Sequence, residues 1–282
     1  MSQTLTKTAS RVIKIPDFQG RLSPRPLYVY LPPGYDQQPD RHYPVLYMHD
    51  GQNCFERYVE DSYAGSWRAD ETADHLINQG LMHPCIIVGV GHGSSERIVE
   101  YMPPYATHQP RVGNYPIPWP KAHKGRAEET FVYYRDDVAP YIRQHYRLLD
   151  GRDHVATCGS SMGGLFSTYI AWEHPDFARH HAILSPSFRV TSNWRGHMET
   201  VERLRKGKPR QVRLWLDSGT QDVHGHGDDG AKNTQAARDA LLANGFELGE
   251  NFQYLLDEGA DHSESAWSGR LHRILPFLFP PD

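Results

Sequence analysis

The chain has 282 residues, a net charge of −4 and only three cysteines. That length suits one large α/β domain or two small ones. So mild a charge leaves no electrostatic footprint for nucleic acid or an anionic membrane as partner.

Arg11 to Pro16 and Pro26 to Leu31 read as two strands, the second ended by Pro32-Pro33-Gly34. Tyr43 to His49 is a third strand, running into the turn-forming Asp50-Gly51-Gln52-Asn53. A helix is expected over Arg68 to Leu76. The run from Leu81 to Val90 is apolar enough to be a strand buried on both faces. Glu100 to Lys124 holds six prolines with Tyr101, Tyr105, Tyr115 and Trp119 between them. Regular helices and central strands do not tolerate that density, so 101–124 is expected to be a loop at the mouth of a site. Tyr105 and Trp119 are its candidate substrate contacts.

Ala127 to His145 carries Phe131, Tyr134, Val138, Tyr141 and Ile142 at helical spacing, with a kink expected at Pro140. Strands follow at His181–Ser185, Val212–Asp217 and Phe252–Leu256. Helices are expected at Thr200–Arg205, Ala231–Ala243 and Ala266–Leu278. Alternation of this kind implies a mostly parallel sheet with helices on both faces, and the first two strands imply an antiparallel N-terminal edge. No repeat or shift in composition divides residues 1–282, so a single domain is expected.

The chemistry centres on His154-Val-Ala-Thr-Cys-Gly-Ser-Ser-Met-Gly-Gly164. A β-prone run, Gly159-Ser-Ser161-Met-Gly163 and an apolar helical run make the strand, turn and helix of a nucleophile elbow. Ser161 sits at its tip, and Gly159, Gly163 and Gly164 leave room where strand and helix crowd. A serine needs a histidine to take its proton and an acid to hold that histidine's tautomer. In this architecture the order is Ser, acid, His, each on a loop beyond a strand. With 17 histidines, only position can select one. His49, His92, His154 and His174 precede or crowd the elbow, and His272 falls inside the last helix. His262, in the loop after the last strand, is left as the base. One oxyanion N–H is expected from Met162, after the nucleophile, and the other from Gln52 in the loop after the third strand. Asp50, beside it, is a turn-former or a substrate contact.

Two acids compete for the third role. Asp217 ends the strand Val212 to Leu216, and Asp222 follows a Ser218-Gly219-Thr220 turn. The need to reach sideways to the next loop favours Asp222, with Asp217 as a helper bonded to the turn. His224-Gly-His226-Gly-Asp228-Asp229 has metal-ligand residue types without a long-range partner, and reads as a solvated loop.

The segments Leu46-Tyr-Met-His-Asp-Gly-Gln-Asn53, Ile87-Val-Gly-Val90 with Arg97 and Glu100-Tyr-Met-Pro103, Cys158-Gly-Ser-Ser-Met-Gly-Gly-Leu165 and Gly259-Ala-Asp-His-Ser-Glu-Ser-Ala-Trp267 resemble the putative-esterase family of α/β-hydrolases. That group includes esterase D-type, enterochelin-esterase-like, feruloyl esterase and antigen 85 proteins. The resemblance runs from about Arg11 to the end and implies an α/β-hydrolase fold. By it Ser161 is the nucleophile, His262 the base, Gln52 and Met162 the oxyanion donors, and an acid stands at Asp222. The implied activity is hydrolysis of a small-molecule carboxylic ester through an acyl-enzyme, with no cofactor. Acyl transfer to an alcohol, or a non-catalytic binding role for the same fold, are the alternatives. No stretch has the length of a transmembrane helix, and Met1–Ser10 lacks a signal peptide's apolar core. Three cysteines without framework spacing fit buried thiols in a reducing cytoplasm.

Overall fold

Two strands joined without a helix, β1 (Arg11–Phe18) and β2 (Arg25–Leu31), pair antiparallel at one edge of an eight-stranded sheet. Their register slips between Ile15 and Phe18, around Pro16, whose missing N–H an edge strand can afford. The other strands are β3 (Val45–His49), β4 (Ile86–Val90), β5 (Val155–Ser160), β6 (His180–Leu184), β7 (Arg213–Gly219) and β8 (Phe252–Asp257). The order across the sheet is β1-β2-β4-β3-β5-β6-β7-β8. From β4 to β8 every pairing is parallel, so the carboxyl ends of β3, β5, β6, β7 and β8 share one rim. The computed structural model describes residues 9–108, 111–112, 115–116, 123–193, 195–222 and 227–281.

The central strands are apolar throughout because each face has its own core. Val45 and Tyr47 of β3 join Val88 of β4 in one cluster, while Leu46, Met48 and Ile87 join the other. That period-two division is what a strand covered on both sides requires. Helix α1 (Ala69–Asn78) and the last helix press Ala73, Leu76, Trp267 and Leu271 onto the second cluster. The first cluster is covered by α2 (Ala127–Tyr133), α3 (Ala139–His145), α4 (Met162–Glu173), α5 (Glu199–Lys206) and α6 (Ala231–Ala243). The last helix, α7, spans Glu264–Leu278.

The helix expected over Ala127 to His145 is continuous but not uniform. A π-helical turn, Tyr134–Val138, joins α2 to α3, and Pro140 stands in the first turn of α3. The wider turn absorbs the missing N–H, so Pro140 restarts the helix where a simple kink was expected. The proline-rich stretch also holds more order than expected. Thr107–His108 pairs with His123–Lys124, and Arg111–Val112 with Tyr115–Pro116, as two short antiparallel ribbons.

The three cysteines are free and buried, as expected of structural thiols. Among the described residues no helix is long and apolar enough to cross a membrane.

Two histidines inside the sheet are sealed from water. His49 bonds the Tyr134 hydroxyl and Ser167 Oγ, each at 2.9 Å. His181 Nε2 donates to Ala178 O at 3.2 Å, which leaves Nδ1 to accept from Thr157 Oγ1 at 2.8 Å. Burial pushes both imidazoles down to about 3. Above the ordinary value of 6.5, folded and unfolded chains both hold them neutral and nothing is lost. As pH falls below that value the unfolded chain binds protons that the folded chain refuses. Each ring then costs about 1.4 kcal/mol of stability per pH unit. Urea unfolding between pH 7 and pH 5 should show that loss, and His181→Gln should make the slope shallower by that amount. An unchanged slope would show that folded His181 takes up the proton.

Candidate active site

β5 ends at the buried Ser160, and the chain turns at Ser161 with φ 56° and ψ −117° before entering α4. A serine in so strained a conformation is the geometry of an elbow tip. Crowding explains its glycines. A Cβ on Gly159 would lie 2.6 Å from the His49 ring, and one on Gly164 would lie 2.8 Å from Leu184 O. Gly163 has more room, its nearest neighbour being His49 Cβ at 3.3 Å. Ser161 N–H donates to Leu184 O at 3.0 Å, tying the turn to β6. Met162 opens α4, so its N–H belongs to a helix N-terminus.

His262 stands in the loop between β8 and α7, with Nδ1 bonded to Asp229 Oδ1. A carboxylate accepts, so Nδ1 is the donor, and in the neutral ring Nε2 carries the free lone pair. The Trp267 indole meets the imidazole edge-on, with ring centroids 4.9 Å apart. Asp229 is buried, and its Oδ2 receives the Gly219 N–H at 2.6 Å and the Ser185 hydroxyl.

The carboxylate bonded to His262 is therefore Asp229, where Asp222 was expected. Asp222 N–H bonds Gly227 O at 3.3 Å, and its carboxylate lies against Gly227. Asp229 stands later in the chain than the Gly219-Thr-Gln-Asp222 turn, just ahead of α6. Asp217, the other candidate, is bonded to other groups. It is wholly buried, accepts from Trp215 Nε1 at 2.7 Å, and faces Arg270 Nη2 at 3.3 Å. Burial, with Asp229 nearby, pushes its carboxyl up to about 6 against the pull of Arg270.

The loop after β3 is rigid. Asp50 adopts a left-handed conformation (φ 56°), and Gly51 has no space for a side chain, since a Cβ would lie 2.4 Å from Gly89 C. The Asp50 carboxylate is gripped by Arg97 through Nε at 2.6 Å and Nη2 at 2.7 Å. Burial opposes that charge, but the guanidinium holds the carboxyl below its ordinary value. Asp50 is thus bonded to Arg97 and, with its left-handed backbone, fits the turn-forming alternative read from the sequence. Gln52 Oε1 accepts the His92 N–H at 3.3 Å, which steadies the residue whose own N–H was expected to bind an oxyanion.

Gln52, Arg97, Ser161, His262, Glu264 and Trp267 line one cavity of about 320 Å³. Glu264 is held by Asn53 Nδ2 at 3.2 Å, and burial raises its carboxyl. Ser161 Oγ lies 3.0 Å from Ser187 Oγ, and among the described residues its hydrogen bond is to Ser187, not His262. Tyr105 is elsewhere. Its hydroxyl meets Thr200 Oγ1 at 3.0 Å and Arg203 covers its ring at 4.1 Å, so it packs the loop onto α5. Trp119, His224 and His226 lie outside the described residues, and Asp228 is exposed. A larger hollow of about 600 Å³, beside Phe131, His174 and the start of β5, offers no serine or cysteine nucleophile.

Ser185 and Ser187 went unselected in the sequence, and Asp229 was read there only as part of a solvated His-Gly-His-Gly-Asp-Asp loop. Asp229-Gly230 ahead of α6 was the one available signal, a turn returning to the sheet with Gly230 at φ 75°.

Solved structures share this architecture. A ferulic acid esterase superposes with a TM-score of 0.70 at 21% identity, covering 97% of this chain and 99% of that one. An IroE-like serine hydrolase from Shewanella oneidensis gives 0.70 at 19%, covering 96% and 80%. The enterobactin esterase of Shigella flexneri gives 0.68 at 16%, covering 95% of this chain and 59% of that one. At such identities the likeness speaks for the fold, which is that of the α/β-hydrolases. The family model described as "Putative esterase" matches residues 22–278, nearly the whole chain, and the protein belongs to that esterase family.

Proposed function

We propose that the protein hydrolyses a small-molecule carboxylic ester through a Ser161–His262–Asp229 triad. The observation that carries this reading is a strained Ser161 opening onto the same cavity as a histidine whose Nδ1 is held by a buried carboxylate. In the reaction Ser161 Oγ turns from Ser187 toward His262, and Nε2 takes its proton as Oγ attacks the ester carbonyl. Catalytic hydrogen bonds are often unformed without substrate, so the resting contact with Ser187 is compatible with that step. Asp229 keeps the imidazole in the required tautomer and stabilises the imidazolium. The N–H groups of Gln52 and Met162 receive the oxyanion, on a loop clamped by Arg97 and at a helix N-terminus. The imidazolium protonates the leaving alcohol. Water, activated by His262, then cleaves the acyl-enzyme.

Ser161→Ala should abolish turnover of p-nitrophenyl esters and labelling by a fluorophosphonate, with no loss of fold. Labelling that persists, or moves to Ser160, would refute the assignment. Asp229→Asn should lower kcat by roughly 10⁴-fold, as loss of a triad acid does. Asp222→Asn should stay within a few-fold of wild type, and the reverse pattern would return the role to Asp222.

Ser187 touches the nucleophile twice, its N–H meeting Ser161 O at 2.9 Å and its hydroxyl meeting Oγ. One neutral hydrogen bond is worth about 0.5–1.5 kcal/mol, and this one is broken as Oγ turns to His262, so Ser187→Ala should raise the phosphonylation rate roughly 2- to 10-fold. An unchanged rate would make Ser187 a bystander.

A further inference from the structure

Ser185 is the residue after β6, fully buried, and a serine with positive φ (40°). Strain of that kind in a buried non-glycine residue asks for a reason. Its Oγ accepts the Trp267 Nε1–H at 2.9 Å and the Arg270 Nη2–H at 3.1 Å. A hydroxyl has two lone pairs and one proton, and neither indole nor guanidinium can accept. Both lone pairs are therefore taken. Among the described residues the proton goes to Asp229 Oδ2.

The donors are themselves anchored. Arg270 is buried and lies 3.3 Å from Asp217 Oδ1 and 3.4 Å from Asp257 Oδ2, while Asp217 also accepts Trp215 Nε1. The Ser185 N–H meets Asp217 O at 2.9 Å, so backbone and side chain are pinned to one network.

We infer that Ser185 is a positioning residue, whose hydroxyl proton is steered by Trp267 and Arg270 onto Asp229 so that this carboxylate presents its other oxygen to His262. This rests on the triad reading above. The hydroxyl and the Gly219 N–H occupy Oδ2, and Oδ1 is left for the imidazole. Asp217, Arg270 and Asp257, none of which touches His262, acquire a function through Ser185.

The test is the pH profile of kcat/KM for p-nitrophenyl acetate in Ser185→Ala and Ser185→Gly, beside Asp229→Asn. Removing the hydroxyl leaves the Asp229 charge less shared and favours the His262 imidazolium. The acid limb should move to higher pH by about half a unit, and the plateau should fall a few-fold, from the loss of one hydrogen bond to a charged group. The other charges around the pair stay in place in both variants: Glu264 and Arg270 on α7, Arg97 and Asp50 across the cavity, Asp217 on β7, and Asp222 and Asp228 on the acid loop. Glycine is at ease at this φ and alanine is not, so a shared shift belongs to the hydroxyl. A limb unmoved in both variants, or a change in alanine that glycine reverses, overturns the proposal. Should both variants fail to fold, Trp267→Phe removes one donor and lets the hydroxyl turn. It should shift the limb in the same direction, and an unmoved limb would again overturn the proposal. Wild-type turnover by Asp229→Asn would instead bring down the triad reading itself.

Discussion

The site depends on one close backbone approach, Gly219 against Ala260. A Cβ at Gly219 would stand 2.1 Å from Ala260 O, so only glycine can end β7 there. The contact draws the loop carrying Asp229 against the loop carrying His262, and Gln221 N–H bonds Ala260 O at 3.0 Å to hold it. The Gly219 N–H then points at Asp229 Oδ2. Parallel pairing of β7 with β8 brings the two strand ends level, and the glycine removes the last obstacle. Acid and base meet because nothing stands between their strands.

Buried charge does the rest of the positioning. Arg97 with Asp50 fixes the loop after β3, Arg270 with Asp217 underlies Asp229, and Arg25 with Glu100 braces the segment after β4 at 2.8 and 2.9 Å. Such pairs lose hydration that their attraction only partly returns, so they are weak evidence of stability. Their geometry is directional, however, and a planar guanidinium aligned with a carboxylate restricts a loop more sharply than apolar packing does. In this protein each pair lies beside a loop on the catalytic rim.

Much of this was legible in the sequence, for identifiable reasons. The apolar strands and the elbow follow from periodicities that tertiary context reinforces. Ser161 and His262 could be placed because each sits one or two turns from a strong element boundary. Asp229 could not. A loop of Asp, Gly and His has no periodicity, and its one local signal, Asp229-Gly230 ahead of α6, does not say which side chain will face His262. Asp222 lay nearer the strand and matched the simpler picture. Tyr105 misled for a related reason, since an aromatic ring in a proline-rich loop serves packing as readily as a site, and its partners, Thr200 and Arg203, are far away in sequence. Pro140 was read as a kink because composition does not reveal a π turn.

The segment Ser185-Pro186-Ser187 joins these observations. It follows β6, between the strand that ends at the elbow and the strand that leads to the acid. Its first serine is bonded to Asp229, and its second meets both the carbonyl and the hydroxyl of Ser161. Pro186 between them has a restricted φ, which limits how the two serine backbones can move relative to one another. Asp229 and Ser161 are thereby bonded to one three-residue segment that touches no substrate in the proposed reaction. With β6 lying between β5 and β7, Ser161 and Asp229 follow strands that do not pair, and the loop after β6 bonds to both.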